Sequence, residues 1–303
     1  MYDVIIIGGG PAGLTAGIYS GRAELKTLII EKKVLGGQAA TTHNIENYPG
    51  YVSVAGPDLV MKMEEQAKRY DAEITYGEIS DIQLKSQPKR IIAGGKEYEA
   101  KTVILAMGAY PREIGIESEK QLRGMGVSYC ATCDGAFFRG KTVAVIGGGN
   151  TAVEDAVFLT RYAQKVYVVH RRHELRATKA DQERAFKNPK IEFVWDSVVD
   201  EIKGGEFVEG AVIRNVNTGE KSEIKLDGVF VAIGNVPDTQ QVKGIVDLDN
   251  NGYILGSEEM ETNIPGVFAA GDVRGKSVRQ LVTAMSDGAI AAVNAEKYIS
   301  RQI

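Results

Sequence analysis

The two cysteines of the sequence, Cys130 and Cys133, stand three positions apart in Cys130-Ala131-Thr132-Cys133 and are followed by Asp134 and Gly135. A disulfide closing so short a loop removes little entropy from the unfolded chain, so its value to stability is small. In a cytosolic chain such a pair is more often redox-active or metal-binding than structural. The thiolate is the reactive form, and Asp134 is placed in sequence to manage the proton of a departing thiol. The same carboxylate would also serve as a turn or helix N-cap residue, and both roles can hold together. His170-x-x-His173 offers two more possible zinc ligands, but in another element and beside Arg171, Arg172 and Arg176. Metal ligands do not belong among arginines in a nucleotide pocket, so no metal site is expected.

Two glycine motifs carry a second kind of chemistry. Gly8-x-Gly10-x-x-Gly13 follows the β-branched run Val4-Ile5-Ile6-Ile7 and opens a small-residue helix over Pro11 to Arg22. In that context the glycines permit a tight turn and close backbone approach, and the helix N-terminus faces a pyrophosphate. Glu31, 23 residues after Gly8, is placed to accept hydrogen bonds from a ribose 2′-OH. An unphosphorylated ribose, as in FAD or NAD, suits it. The arrangement recurs 139 residues later as Gly147-x-Gly149-x-x-Ala152, after the strand Thr142 to Ile146. Here the position 23 residues after the first glycine is His170, followed by Arg171, Arg172 and then Arg176. An acid would repel a 2′-phosphate, whereas arginine forks hold one, so this second site should prefer NADP.

The elements that must position these groups alternate short apolar runs with helix-like segments, the pattern of an α/β protein. Thr27-Leu28-Ile29-Ile30, Val103 to Ala106, Val166 to Val169 and Val229 to Ala232 read as strands, and a helix follows Gly56 with Pro57 at its first position. A second nucleotide helix is expected from about Thr151 to Ala163, and a long terminal helix from about Ser277. The 303 residues suggest two domains. We expect one domain inserted in the other, with residues 1–110 and 242–303 forming the first and residues 111–241 the second. Both would be dinucleotide-binding and Rossmann-like. A net charge of −4 makes nucleic acid an improbable partner. No apolar run approaches the length that crosses a membrane, and the start lacks the features of a signal peptide, so a cytoplasmic protein is expected.

Together, CATCDG at Cys130 to Gly135, VIGGGNTAVEDA at Val145 to Ala156, HRR with Arg176-Ala177, and VFAAGDV at Val267 to Val273 resemble the low-molecular-weight thioredoxin reductases. These are class II pyridine nucleotide-disulfide oxidoreductases. The resemblance covers essentially the whole chain. It implies a three-layer fold with the NADPH-binding domain inserted in the FAD-binding domain. It further implies that Gly8, Gly10, Pro11, Ala12, Gly13, Glu31 and Lys32 hold the ADP half of FAD. Gly36-Gly37-Gln38, Asn47 and Gly108 would approach the flavin, and Gly271, Asp272, Arg279, Gln280 and Leu281 would complete that site. Gly147, Gly149, Asn150, Thr151, Ala152 and Gly234 would hold NADPH, with His170, Arg171, Arg172 and Arg176 at its 2′-phosphate end. The implied activity passes electrons from NADPH through FAD and the Cys130–Cys133 pair to the disulfide of thioredoxin or a thioredoxin-like protein, in a homodimer whose inserted domains rotate. We expect Cys133 to face the flavin and Cys130 to lie farther out.

Three positions depart from the family pattern. His173 stands where Asp commonly follows HRR, Ala136 precedes Phe137-Phe138 where Phe often follows CATCDG directly, and Gly234-Asn235-Val236-Pro237-Asp238-Thr239 replaces GHxPNT. The alternative functions keep the scaffold and change the donor or acceptor: a ferredoxin-linked reductase, a reductase of a peroxiredoxin- or glutaredoxin-like partner, or a dithiol oxidase. A flavin- or nucleotide-binding sensor without turnover would need no C-x-x-C.

Overall fold

The computed structural model describes residues 1–42 and 44–302. The chain divides into two compact units, Met1–Tyr110 with Val236–Ile303, and Pro111–Asn235. The sequence reading set the return crossing after residue 241. In the structure it falls after Asn235, because the Asp238 N–H donates to the Gly108 carbonyl at 3.1 Å and Thr239 Oγ1 donates to the Gly252 carbonyl at 2.8 Å, both within the first unit.

In the first unit the strand Tyr2–Ile7 lies between the parallel strands Thr27–Glu31 and Lys96–Leu105 of a seven-stranded sheet. Successive side chains of a strand point to opposite faces. Val4 and Ile6 accordingly enter the core packed under the helices, with Ile29, Ile104 and Phe268, while Ile5 and Ile7 enter the core on the other side, with Leu28, Ile30, Val103 and Leu105. Both faces are covered, which is why the sequence runs apolar without alternation. Lys96–Leu105 is long enough for two partners on one side. Its first half pairs antiparallel with Lys89–Ala93, and its end pairs parallel with Val267–Ala269. The helices Pro11–Arg22, Gly56–Arg69 and Leu281–Ser300 cover one face.

The second unit repeats the plan. Its five-stranded parallel sheet runs Ile191–Val194, Lys165–Val169, Thr142–Ile146, Gly228–Val231, Val127–Ser128. The helix Asn150–Leu159 packs on Val143, Val145 and Val168. A three-stranded antiparallel sheet, Ser197–Gly204, Val208–Asn215 and Lys221–Lys225, supplies core residues for the opposite side. The nucleotide helix stops at Leu159, four residues before the expected end, and the terminal helix starts at Leu281 with Gln280 as its cap. The two crossings, Ala109–Pro111 and Asn235–Pro237, pair with each other as a two-stranded sheet. Among the described residues no helix is long and apolar enough to cross a membrane.

Candidate functional site

In the first unit, the strand Tyr2–Ile7 ends at Gly8, whose φ is +105° and whose Cβ, if it had one, would lie 2.3 Å from the Ala106 carbonyl oxygen. A Cβ on Gly13 would lie 1.8 Å from the Gly8 oxygen, so the helix presses directly on the turn. Gly10 differs. It is the N-cap of Pro11–Arg22, no side chain caps that helix, and no atom lies within 4 Å of where its Cβ would be. The backbone donors of the first turn therefore face an open side suited to an anion. Gly36 and Gly37 close in on the same loop: Gly36 N–H donates to the Gly9 carbonyl at 2.8 Å, and a Cβ on Gly37 would meet the Gly10 Cα at 3.6 Å. Glu31 is buried, and its two oxygens accept from the N–H groups of Gly9 at 2.8 Å and Lys33 at 2.9 Å. The carboxylate braces the loop, and each oxygen keeps a further lone pair for a ribose hydroxyl.

Around this turn the structure gathers residues from the far end of the chain. A Cβ on Gly271 would lie 2.8 Å from that of Ala12, and one on Gly288 would lie 2.1 Å from the Ala12 oxygen. Asn47 Nδ2 donates to Gln280 Oε1 at 3.0 Å, and Gln280 caps the helix that begins at Leu281. Gln38 Nε2 donates to the Ala109 carbonyl at 3.1 Å, and Gly108 takes a φ of +73°. The Lys32 ammonium pairs with Asp238 and lies 5.2 Å from the centre of the Tyr110 ring, beside the paired crossings.

Asp272 is the residue that tests whether a cofactor fits. Its Oδ1 is buried without a hydrogen-bond partner among the described residues, as is Arg279 Nε, whose guanidinium lies 4.2 Å over Tyr253. Burial pushes the Asp272 carboxyl up from the usual carboxylate range, opposed by Lys276 and Arg279. An unpaired buried acceptor costs about 1–3 kcal/mol, which a hydroxylated ligand chain would offset. With the open helix N-terminus, this donor and acceptor set fits FAD.

Sequence reasoning missed Asp287. It is buried, and its Oδ2 accepts from the Gly271 N–H at 3.0 Å and from Lys276 Nζ at 2.8 Å, with Arg274 Nη1 at 3.6 Å from Oδ1. It thus fixes the peptide that carries Asp272. The signal was present: Asp287 lies in the stripe Ala284, Gly288, Ala291, Ala292 and Ala295 that buries this helix, where an acid needs a partner. Asp287→Ala would leave the partly buried Lys276 and Arg274 without their counter-charge. We expect it to cost about 3 kcal/mol or more, read from the urea midpoint, together with loss of the yellow flavin colour. An unchanged midpoint would show the cluster to be dispensable.

The second unit builds a matching cradle. A Cβ on Gly147 would lie 2.4 Å from the Ala232 oxygen and 2.7 Å from the Ala152 Cβ, while Gly149, N-cap of Asn150–Leu159, has open space and no capping side chain. Thr151 and the fully buried Ala152 lie in the first turn, and Asn150 Oδ1 accepts from the Thr178 N–H at 2.9 Å. Gly234 takes a φ of +103° beside the return crossing. His170 packs its ring against Gly148 and bonds the Glu174 carbonyl at 3.1 Å. Burial pulls its imidazole below the ordinary value, helped by Arg176, Arg171 and Arg172 and opposed by that carbonyl. Its ring forms one wall of the loop. Arg171, Arg172 and Arg176 are exposed and, among the described residues, none is paired with a carboxylate. His173 turns to Asp196 instead, at 3.1 Å.

Cys130 and Cys133 form a disulfide with a Cα–Cα distance of 5.3 Å. Cys130 is the N-cap of the short helix Ala131–Asp134, and its Sγ accepts from the Cys133 N–H at 3.2 Å. Asp134 accepts a 2.6 Å hydrogen bond from Ser128 Oγ. Burial pushes its carboxyl up, and that bond opposes the rise. Two further residues escaped the sequence reading. Ser128 joins Asp134 to the Cys130 amide, and the fully buried Glu119 accepts from the N–H groups of Ile114 and Gly115 and from the Tyr129 hydroxyl, at 2.9–3.0 Å. Both precede the motif, outside the spacing that flags it.

The sequence pattern of the pyridine nucleotide-disulphide oxidoreductase family matches residues 2–288. A thioredoxin reductase of Peptoclostridium acidaminophilum is 52% identical over 306 residues, which are 99% of this chain and 97% of that one. One of Bacillus subtilis is 50% identical over 301 residues, 99% of this chain and 95% of its own. The crystal structure of thioredoxin reductase from Streptococcus pyogenes superposes with a TM-score of 0.95 at 47% identity, covering 99% of both chains.

Proposed function

The chain belongs to the pyridine nucleotide-disulphide oxidoreductase family, and from that premise we propose that it is an NADPH-dependent thioredoxin reductase. The observation that carries the reading is the disulfide Cys130–Cys133, with the Asp134 carboxyl nearby, in the same unit as a nucleotide cradle edged by three arginines. In this reading the unit of residues 1–110 and 236–303 holds FAD. Gly8, Gly10, Pro11, Ala12, Gly13 and Glu31 take its ADP half, and Gly36, Gly37, Gln38, Asn47, Gly108, Gly271, Asp272, Arg279, Gln280 and Leu281 its flavin half. The unit of residues 111–235 holds NADPH at Gly147, Gly149, Asn150, Thr151, Ala152 and Gly234, with Arg171, Arg172 and Arg176 around its 2′-phosphate. When bound, the flavin supplies the two-electron chemistry that links a nicotinamide to a disulfide. The chain's own part is thiol exchange: one cysteine thiolate attacks the partner's disulfide, and the other displaces the partner from the mixed disulfide.

The same reading places the enzyme in the cytoplasm, where partner thiols are kept reduced. It acts there as a homodimer, the commonest oligomer, on thioredoxin or a thioredoxin-like protein, with neither nucleic acid nor membrane as partner.

Purified yellow protein given NADPH, thioredoxin and a chromogenic disulfide should release thiol, and should do so far more slowly with NADH. No NADPH-driven release would overturn the reading, and oxygen uptake without NADPH would favour a dithiol oxidase. Each charge-assisted hydrogen bond to a phosphate is worth about 1.5–3 kcal/mol. Joint replacement of Arg172 and Arg176 by alanine should therefore lower kcat/KM for NADPH by roughly 100-fold or more and leave NADH use unchanged. Equal losses with both nucleotides would place the 2′-phosphate elsewhere.

A further inference from the structure

The hydroxyl of Ser128 stands between the two parts of the disulfide centre. Its Oγ donates to Asp134 Oδ2 at 2.6 Å, accepts from the Cys130 N–H at 3.1 Å, and lies 3.4 Å from the Cys130 carbonyl oxygen. A distance of 2.6 Å is that of a hydroxyl donating to a charged oxygen. The serine is buried and cannot wander. It pairs in the strand Val127–Ser128 opposite Phe230, and the next residue, Tyr129, is clamped by Glu119 at its hydroxyl and by Arg123 over its ring at 4.8 Å.

Building on the proposed function, we propose that Ser128 is the positioning residue of the disulfide centre: its hydroxyl holds the Asp134 carboxyl in both protonation states and keeps that carboxyl able to release the proton it takes. The chemistry requires such reversibility. Reduction of the Cys130–Cys133 bond consumes two electrons from the nicotinamide donor and two protons, giving two thiols. In exchange, one chain thiolate forms a bond to a partner sulfur as the partner's S–S bond breaks. The second chain thiolate then re-forms Cys130–Cys133 and expels the partner, whose two thiols carry away both electrons and both protons. A proton must therefore be stored beside the sulfurs and handed on in every cycle. Burial alone would trap it on Asp134. A serine hydroxyl can donate to the carboxylate, then accept from the carboxylic acid while turning its own proton to the Cys130 carbonyl. No lysine or amide could serve in both states without moving.

The test uses the full-length, flavin-loaded protein, reduced with excess dithiothreitol, freed of it, and mixed with a chromogenic disulfide across pH. It needs no NADPH, so its outcome is separate from that of the proposed function. The rate should show an inflection that disappears in Asp134→Asn. In Ser128→Ala that inflection should move up by about one pH unit, the size of one lost hydrogen bond to a charged group. Ser128→Thr, which keeps the hydroxyl on a strand-compatible side chain, should restore it. In the Asp134→Asn background Ser128→Ala should change the profile no further. An inflection that stays in place in Ser128→Ala, an equal slowing at every pH, or a profile untouched by Asp134→Asn overturns the proposal.

Discussion

Cys133→Ser protein will bind its flavin and look yellow, yet reduce a chromogenic disulfide with NADPH at least about a thousandfold more slowly than the wild type. The size of the effect follows from the count of sulfurs. The sequence has two cysteines and no third to substitute for either. A lone thiol can form a mixed disulfide with the partner, but it has no neighbour to displace that partner, so turnover stops after one event. Cys130→Ser should fail equally. Neither change should shift the urea midpoint much, since a loop closed over so few residues restrains the unfolded chain little. The measurement is steady-state thiol release beside visible absorbance per chain. Undiminished turnover in Cys133→Ser would put the electron path elsewhere.

Gly13→Ala should yield colourless protein. The added methyl would sit 1.8 Å from the Gly8 carbonyl oxygen, a backbone atom. Gly8 has little room to yield, because its N–H is tied to the Ile30 carbonyl at 2.8 Å and its Cβ position would lie 2.3 Å from the Ala106 oxygen. The helix Pro11–Arg22 must then back away from the turn, carrying its first-turn N–H groups off the phosphate position. Overpacking of this kind costs about 1–3 kcal/mol, so the thermal midpoint should fall along with flavin retention. Gly10→Ala is the informative companion. Its backbone is extended at φ −72° and its Cβ position is open, so the protein should fold normally and still lose flavin, the methyl pointing where the ligand lies. If Gly13→Ala retains flavin fully, the glycine turn is not the cradle.

The glycine turns were legible because part of their requirement is local. Gly13 closes on the Gly8 oxygen and Gly147 on the Ala152 Cβ, contacts that the spacing of the motif encodes, while the Ala106 and Ala232 oxygens against Gly8 and Gly147 come from distant parts of the chain. The strands Val4 to Ile7 and Val143 to Ile146 were legible for a similar reason, since a β-branched run buried on both faces leaves no other reading. The antiparallel strands Ile79–Gln83 and Ser197–Gly204 mix charged and apolar residues on half-exposed surfaces, so their pattern is faint. Lys32 was expected at the cofactor from the resemblance, and its ion pair with Asp238 was not foreseen. Its partner Asp238 lies 206 residues on, a distance no local pattern spans. Ser128, Glu119 and Asp287 were missed because none reacts. Each works by holding another group still, and that shows only once the chain is folded.

The pairing of Ala109–Pro111 with Asn235–Pro237 has a consequence for the gene. The inserted segment leaves the host and rejoins it through neighbouring strands, so its two ends meet at one doorway. Such a segment can be lifted out as a cassette and the gap sealed with a few residues, without rethreading the host sheet. The second glycine cradle and the Cys130–Cys133 disulfide both lie on that segment, so removing it would remove both at once.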